Sequence, residues 1–275
     1  MDDLVVSDTL RVSRSADAVV EAVLSRQPGW GARLRGRSEH GIATYRLERP
    51  GEQWRFLKVS PRSGRQISLA AECARTRWAE PYLPVPELVD CGFEGDFEWL
   101  ITVGIDAPDA TDPGLMSDPP TVVDILAKGL RRFHEAPVAE CPFDFRLDVA
   151  LDLVECRIAR GLIDVRTDLH PEHAHLSIDE AWSALQSMRP TSEDLVVCHG
   201  DYCFPNILIS GGDAVAYVDL GELGVADRWW DLAVASWSTT WNVGPGFEDA
   251  FLAAYGIEPD PQRMAYYRLL YDLVS

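Results

Sequence analysis

Apolar positions alternate along the first part of the chain and recur at helical spacing along the second. Ile42 to Leu47 and Trp54 to Val59 have the period-two character of strands, and Pro50-Gly51 between them marks a turn. In the second of these runs Trp54, Phe56 and Lys58 share one face. Ahead of this hairpin, Ala16 to Ser25 carries Val19, Val20, Val23 and Leu24 at amphipathic helical spacing. Behind it, Gln66 to Glu80 reads as an Ala- and Arg-rich helix, and Glu87 to Cys91 and Glu98 to Val103 read as short strands. Tyr82 to Pro86 holds two prolines and must run extended.

A stretch rich in Gly, Asp and Pro, residues 104–120, ends this β-rich part. Helices follow at Val122 to Glu135, Leu147 to Ala159, Ile178 to Met188, Ala226 to Thr240, Phe247 to Tyr255 and Asp260 to Val274. One further hairpin interrupts them: Ile207 to Ile209 and Ala214 to Val218, around Gly211-Gly212-Asp213. The pattern predicts an α+β protein with a β-rich part over 1–103 and a mostly helical part over 104–275.

Composition narrows the class. The chain has 275 residues, enough for one large core or two modest ones, and 47% hydrophobic residues is ordinary for a soluble protein. No apolar run approaches the length of a membrane span, and Met1-Asp2-Asp3-Leu4 has no basic region ahead of an apolar core. Six cysteines are scattered without CxxC spacing, so reduced thiols and a cytoplasmic location are expected. The net charge of −19 disfavours nucleic acid and anionic membrane as partners and favours a cationic small molecule. Lys58 and Lys128 are the only two lysines among 25 basic residues, so each calls for a local reason.

The chemistry gathers in Leu195 to Asp231. Asp201 and Asn206 stand five positions apart, the spacing of a kinase catalytic loop, where the Asp accepts the substrate hydroxyl proton and the Asn holds Mg²⁺. Asp219-x-Gly221 follows where a second metal-binding Asp belongs, and the hairpin between brings Asn206 and Asp219 together. Phosphoryl transfer needs just such oxygen ligands and an aligned nucleophile. Lys58 on a strand, followed by Glu72 on a helix, fits the ion pair that positions a nucleotide, with Glu80 as the competing partner.

Other features are weaker. The loop Arg37 to Gly41 has a single glycine with which to cradle phosphate. His134, at the end of a helix, reads as structural. His170, His173 and His175 crowd together without a supporting carboxylate or cysteine pattern. Cys198-His199 offers the residue types of a hydrolase, but neighbours on a strand point to opposite faces.

These residues resemble the aminoglycoside phosphotransferases, most closely the 3′-type. The resemblance is carried by Leu195-Val-Val-Cys-His-Gly-Asp201-x-Cys-x-Pro-Asn206, by Val218-Asp219-Leu220-Gly221 through Asp227-Arg228, and by Trp230-Asp231-Leu232-Ala233. Phe56-Leu57-Lys58, Leu83-Pro84-Val85-Pro86 and Phe133-His134 add to it. It implies a protein-kinase-like fold with a β-rich N-lobe, a hinge and a helical C-lobe, and phosphorylation of an antibiotic hydroxyl by MgATP, GTP being the alternative nucleotide. Carried over by position, Lys58 holds phosphates, Glu72 orients Lys58, Phe56 stacks on adenine, and backbone groups of Val103 and Ile105 read it. Asp201 is the base, Asn206 and Asp219 hold Mg²⁺, and Asp272 and Glu222 face the cationic substrate. A monomer or weak dimer is expected.

Three departures touch the substrate or nucleotide region. Glu222 stands where the family has Arg, Tyr271 where it has an acid, and the loop near Gly41 lacks the family's Gly-Ser character. They leave open a streptomycin-like, peptide or metabolite acceptor, or a nucleotide-binding protein without useful transfer.

Overall fold

The computed structural model describes residues 16–38, 41–62, 68–165, 167 and 169–274. These divide in sequence between Asp106 and Ala107 into two compact units. The loop Arg37 to Gly41, considered above as a phosphate cradle, lies partly outside the described residues, as does the expected start of the helix at Gln66.

The described part of the first unit begins within a helix, over 16–25 (α1). Its Ala16, Val19, Val20 and Val23 follow the i, i+3, i+4, i+7 rule and are all buried. Five strands follow: β1 (Gly31–Arg37), β2 (Ala43–Glu48), β3 (Arg55–Pro61), β4 (Leu88–Glu94) and β5 (Phe97–Val103), with helix α2 (Leu69–Ala79) between β3 and β4. They form one antiparallel sheet in the order β1-β2-β3-β5-β4. Leu57, Val59, Trp99 and Ile101 pack with α1 in a single apolar cluster. The opposite face carries the row Lys58, Leu100, Cys91, paired across β3, β5 and β4, and α2 packs on that face through Leu69 and Cys73. Ser68 caps α2 by accepting the Ala70 N–H at 3.1 Å, and Glu98 of β5 accepts the same N–H at 3.1 Å.

One sequence expectation fails here. Cys73 and Cys91 are bonded as a disulfide rather than reduced. They come together because α2 lies on the sheet face where the pleat of β4 presents Cys91. Strand β1 leaves no periodic signal in the sequence: all seven of its positions are exposed, so it has no alternation to betray it.

The second unit holds α3 (Pro119–Phe133), α4 (Leu147–Ala159), α5 (Ile178–Met188), β6 (Leu195–Cys198), β7 (Ile207–Ser210), β8 (Asp213–Tyr217), β9 (Gly224–Asp227), α6 (Trp229–Asn242), α7 (Glu248–Tyr255) and α8 (Pro261–Val274). The hairpin β7–β8 stands where expected, and β6 pairs antiparallel with β9. The helix expected from Ala226 begins instead at Trp229, because Ala226 and Asp227 are drawn into β9 opposite Val196 and Leu195. Helix α8 is buried on nearly every side, a core helix rather than an amphipathic one. Gly129 lets α3 come close to the hairpin: a β-carbon there would lie 2.9 Å from the Tyr202 hydroxyl and the Ala214 side chain. Tyr202 and Tyr217 then donate to the α3 carbonyls of Leu126 and Gly129 at 2.9 and 2.8 Å. Among the described residues no helix is long and apolar enough to cross a membrane.

Candidate active site

In the first unit, Lys58 Nζ lies 2.7 Å from Glu72 Oε1, with both side chains largely buried. The competing Glu80 is engaged elsewhere: its Oε1 accepts the Leu88 N–H at 2.8 Å. Phe56, two positions before Lys58, meets Trp54 edge-on with ring centroids 4.9 Å apart, and the Arg46 guanidinium covers Trp54. Gly104 is forced by this packing, since a β-carbon would sit 2.0 Å from the Trp54 ring. The strand end is tied down by its own backbone. Val103 donates to the Glu87 carbonyl at 2.9 Å, Gly104 donates to that of Trp54 at 2.8 Å, and Gln53 Nε2 donates to the Gly104 carbonyl at 2.8 Å. The Val103 N–H is thus committed within the unit.

In the second unit, β6 leads into His199, Gly200 and Asp201. The buried carboxylate of Asp231, in the first turn of α6, accepts the N–H groups of His199 at 2.7 Å and Gly200 at 2.9 Å. His134 Nε2 lies 3.0 Å from the same carboxylate, and its Nδ1 lies 2.8 Å from the Tyr255 hydroxyl. Trp230 Nε1 donates to the Gly200 carbonyl at 2.8 Å. Gly200 has φ 90°, and a β-carbon on it would strike Glu222 at 2.4 Å. The loop that carries Asp201 is therefore held from beneath by residues the sequence marked only as part of a pattern.

Asp201 is bonded through both carboxylate oxygens. Asn206 Nδ2 donates to Oδ2 at 2.9 Å and to the Asp201 carbonyl at 2.9 Å, while the Tyr271 hydroxyl donates to Oδ1 at 3.0 Å. Val218 N donates to the Asn206 carbonyl at 2.9 Å, joining the two ends of the hairpin one residue before Asp219. Asp219 has φ 62°, the only non-glycine at positive φ among the described residues. With the side-chain nitrogen of Asn206 used by Asp201, the side-chain oxygen of Asn206 and the Asp219 carboxylate are hard oxygen donors, of the kind that Mg²⁺ takes. Glu222 ends the short turn Leu220–Glu222 that follows.

Asp272, expected to face a substrate, is turned inward and only 4% exposed. Its Oδ2 accepts the His170 N–H at 3.0 Å and lies 2.6 Å from His173 Nδ1. One residue along a helix is a rotation of about 100°, so the same turn that buries Asp272 points Tyr271 at Asp201. The ligand atoms of the three clustered histidines do not converge on a common point. Among the described residues the only converging group of ligand atoms is the buried His134, Cys198 and Asp231. His170 stacks on Trp237 with centroids 4.3 Å apart and accepts from Trp241 Nε1 at 2.9 Å. Cys198 and His199 do not share a proton. The thiol donates to the Asp227 carbonyl at 3.3 Å and is pushed well above its usual range by burial, while His199 Nε2 lies 3.0 Å from the Val218 carbonyl.

Residues 35–267 match the phosphotransferase enzyme family. An aminoglycoside 3′-phosphotransferase of Streptomyces fradiae is 35% identical over 225 residues, covering 78% of this chain and 84% of the relative. The crystal structure of an aminoglycoside-3′-phosphotransferase of type VIII superposes with a TM-score of 0.83 at 30% identity, over 94% of this chain and 98% of the other. An aminoglycoside phosphotransferase from Streptomyces rimosus, solved with ADP and streptomycin, gives a TM-score of 0.78 at 25% identity over 94% of this chain and 98% of the other.

Proposed function

The chain belongs to the phosphotransferase enzyme family, and we propose that it transfers the γ-phosphoryl group of ATP to a hydroxyl of an aminoglycoside, so conferring resistance. The observation that carries this reading is the setting of Asp201: a carboxylate on a clamped loop, bonded by Asn206, next to a hairpin whose two ends join beside Asp219.

In the first unit Lys58 holds nucleotide phosphates, and Glu72 keeps the ammonium in place, as the 2.7 Å pair supports. Phe56 lies against the base, and groups of the Val103 to Ile105 segment other than the committed Val103 N–H read its edge. In the second unit Asn206 and Asp219 would hold Mg²⁺, which would neutralise charge on the phosphate oxygens. Asp201 accepts the proton of the acceptor hydroxyl as the new O–P bond forms and the bond from the γ-phosphorus to the bridging oxygen breaks. ADP leaves with that oxygen, and the proton passes from Asp201 to solvent. Little covalent help is required; alignment of the hydroxyl does most of the work.

The net charge of −19 steers a polycation toward the chain, and Glu222, whose Cβ and backbone lie against Gly200, is the acid we propose for it to meet. A streptomycin-type acceptor is the second reading, supported by the likeness to the streptomycin-bound structure and by Tyr271 at the position of a family acid. A spectrophotometric ATP-consumption assay separates the two. Turnover with an aminoglycoside that carries a 3′-hydroxyl, and none with its 3′-deoxy counterpart, is the expected result. Turnover only with streptomycin supports the second reading, and turnover with neither sinks both.

A further inference from the structure

We propose that Tyr271 is a positioning residue of the reaction, fixing the Asp201 carboxylate at Oδ1 while Asn206 fixes it at Oδ2. The inference rests on the reading of Asp201 as the base. A carboxylate held through one oxygen rotates about its Cβ–Cγ bond. Held through both, it keeps one plane. The two oxygens have four lone pairs between them; Asn206 and Tyr271 take one each and the Cys203 thiol lies against the same carboxylate, which still leaves a lone pair for the acceptor hydroxyl. The orientation of the remaining lone pairs is what aligns that hydroxyl with the phosphoryl group.

The hydroxyl is built into place. Leu270, Asp272, Leu273 and Val274, the neighbours of Tyr271 on α8, are all buried. Asp272 is anchored in turn by the His170 backbone and His173, which fixes the helix one residue beyond Tyr271. The phenol is pushed well above its usual range, first by burial and then by the negative charge of Asp201 and Glu222. It stays protonated at neutral pH, donates to Asp201 and does not compete for the proton that Asp201 receives. A hydrogen bond to a charged acceptor is of the stronger kind.

The test uses the full chain with ATP and the acceptor found active in the panel assay. Tyr271→Phe removes one oxygen and keeps the ring. Its kcat is expected to fall roughly ten- to a hundredfold, with both KM values within about twofold and a melting temperature close to that of the parent. A residue acting through Asp201 loses its effect once Asp201 is gone. In an Asp201→Asn background, read in single turnover with enzyme in excess, Tyr271→Phe is therefore expected to cause no further fall. An unchanged kcat in Tyr271→Phe overturns the proposal. So does a loss confined to KM for the acceptor, which makes Tyr271 a substrate contact, or an equal loss in both backgrounds. Asp201→Asn with native turnover overturns the base reading itself, and that arm is read independently of Tyr271. If Tyr271→Phe precipitates, Tyr271→Leu removes the same donor and is judged by the same outcomes.

Discussion

Lys58 Nζ lies 2.7 Å from Glu72 Oε1, joining a strand residue to a helix residue fourteen positions later. The contact follows from the pleat: Lys58 shares the face of Leu100 and Cys91, and α2 packs on that face. Glu72→Gln keeps the shape and removes the charge. KM for ATP is expected to rise about tenfold while the melting temperature moves by only a few degrees, because the pair is reached by solvent at its edge. Isothermal titration of the nucleotide analogue checks it, and unchanged affinity removes Glu72 from the nucleotide site.

Asp231 holds the loop that carries Asp201 through two backbone N–H groups, and His134 closes the other side. Asp231→Ala orphans these buried donors. A loss of roughly 3–5 kcal/mol is expected, read as a fall in melting temperature of about 6–15 °C, with kcat reduced beyond what instability explains. Differential scanning calorimetry and turnover at low temperature measure the two parts.

The Cys73–Cys91 bond ties α2 to β4 next to Glu72, leaving Cys141, Cys156, Cys198 and Cys203 as thiols. Thiol titration of the denatured, unreduced chain is expected to count four groups, and six after reduction. Closing a loop of this length contributes about 3 kcal/mol, so Cys73→Ser is expected to lower the unfolding midpoint of the first unit measurably. Six thiols before reduction would contradict the bond.

His170 gives a pH dependence. Burial lowers its pKa below the ordinary value of 6.5, outweighing the raising effect of Asp272 and Glu172, while His173 and Arg268 push the same way as burial. A base whose folded pKa is depressed binds fewer protons when folded. Its contribution to stability is therefore present above the unfolded pKa and lost as pH falls below it. The stack on Trp237 and Trp241 is expected to loosen between pH 7 and 5, seen in tryptophan fluorescence and absent in His170→Asn.

Much of this molecule was legible in the chain. The Asp201 to Asn206 spacing, the hairpin that follows, and Lys58 as one of two lysines all point to the chemistry directly. Leu147–Ala159 and Ile178–Met188 appear with the bounds their apolar spacing predicts. What was hidden depends on tertiary contact. Strand β1 is exposed throughout and β9 is four buried residues long, so neither shows a period. Cys73 and Cys91 are brought together by helix-on-sheet packing that no spacing encodes. Asp272 reads from sequence as the acid nearest a substrate, yet helix rotation buries it and offers Tyr271 to Asp201.

The central claim is that Asp201 is the base of phosphoryl transfer. The most direct measurement is kcat of Asp201→Asn beside the dissociation constant for MgATP. The account predicts a fall in kcat of about a hundredfold or more with nucleotide affinity unchanged. Turnover near that of the native chain, or a loss that lies wholly in nucleotide binding, would contradict it.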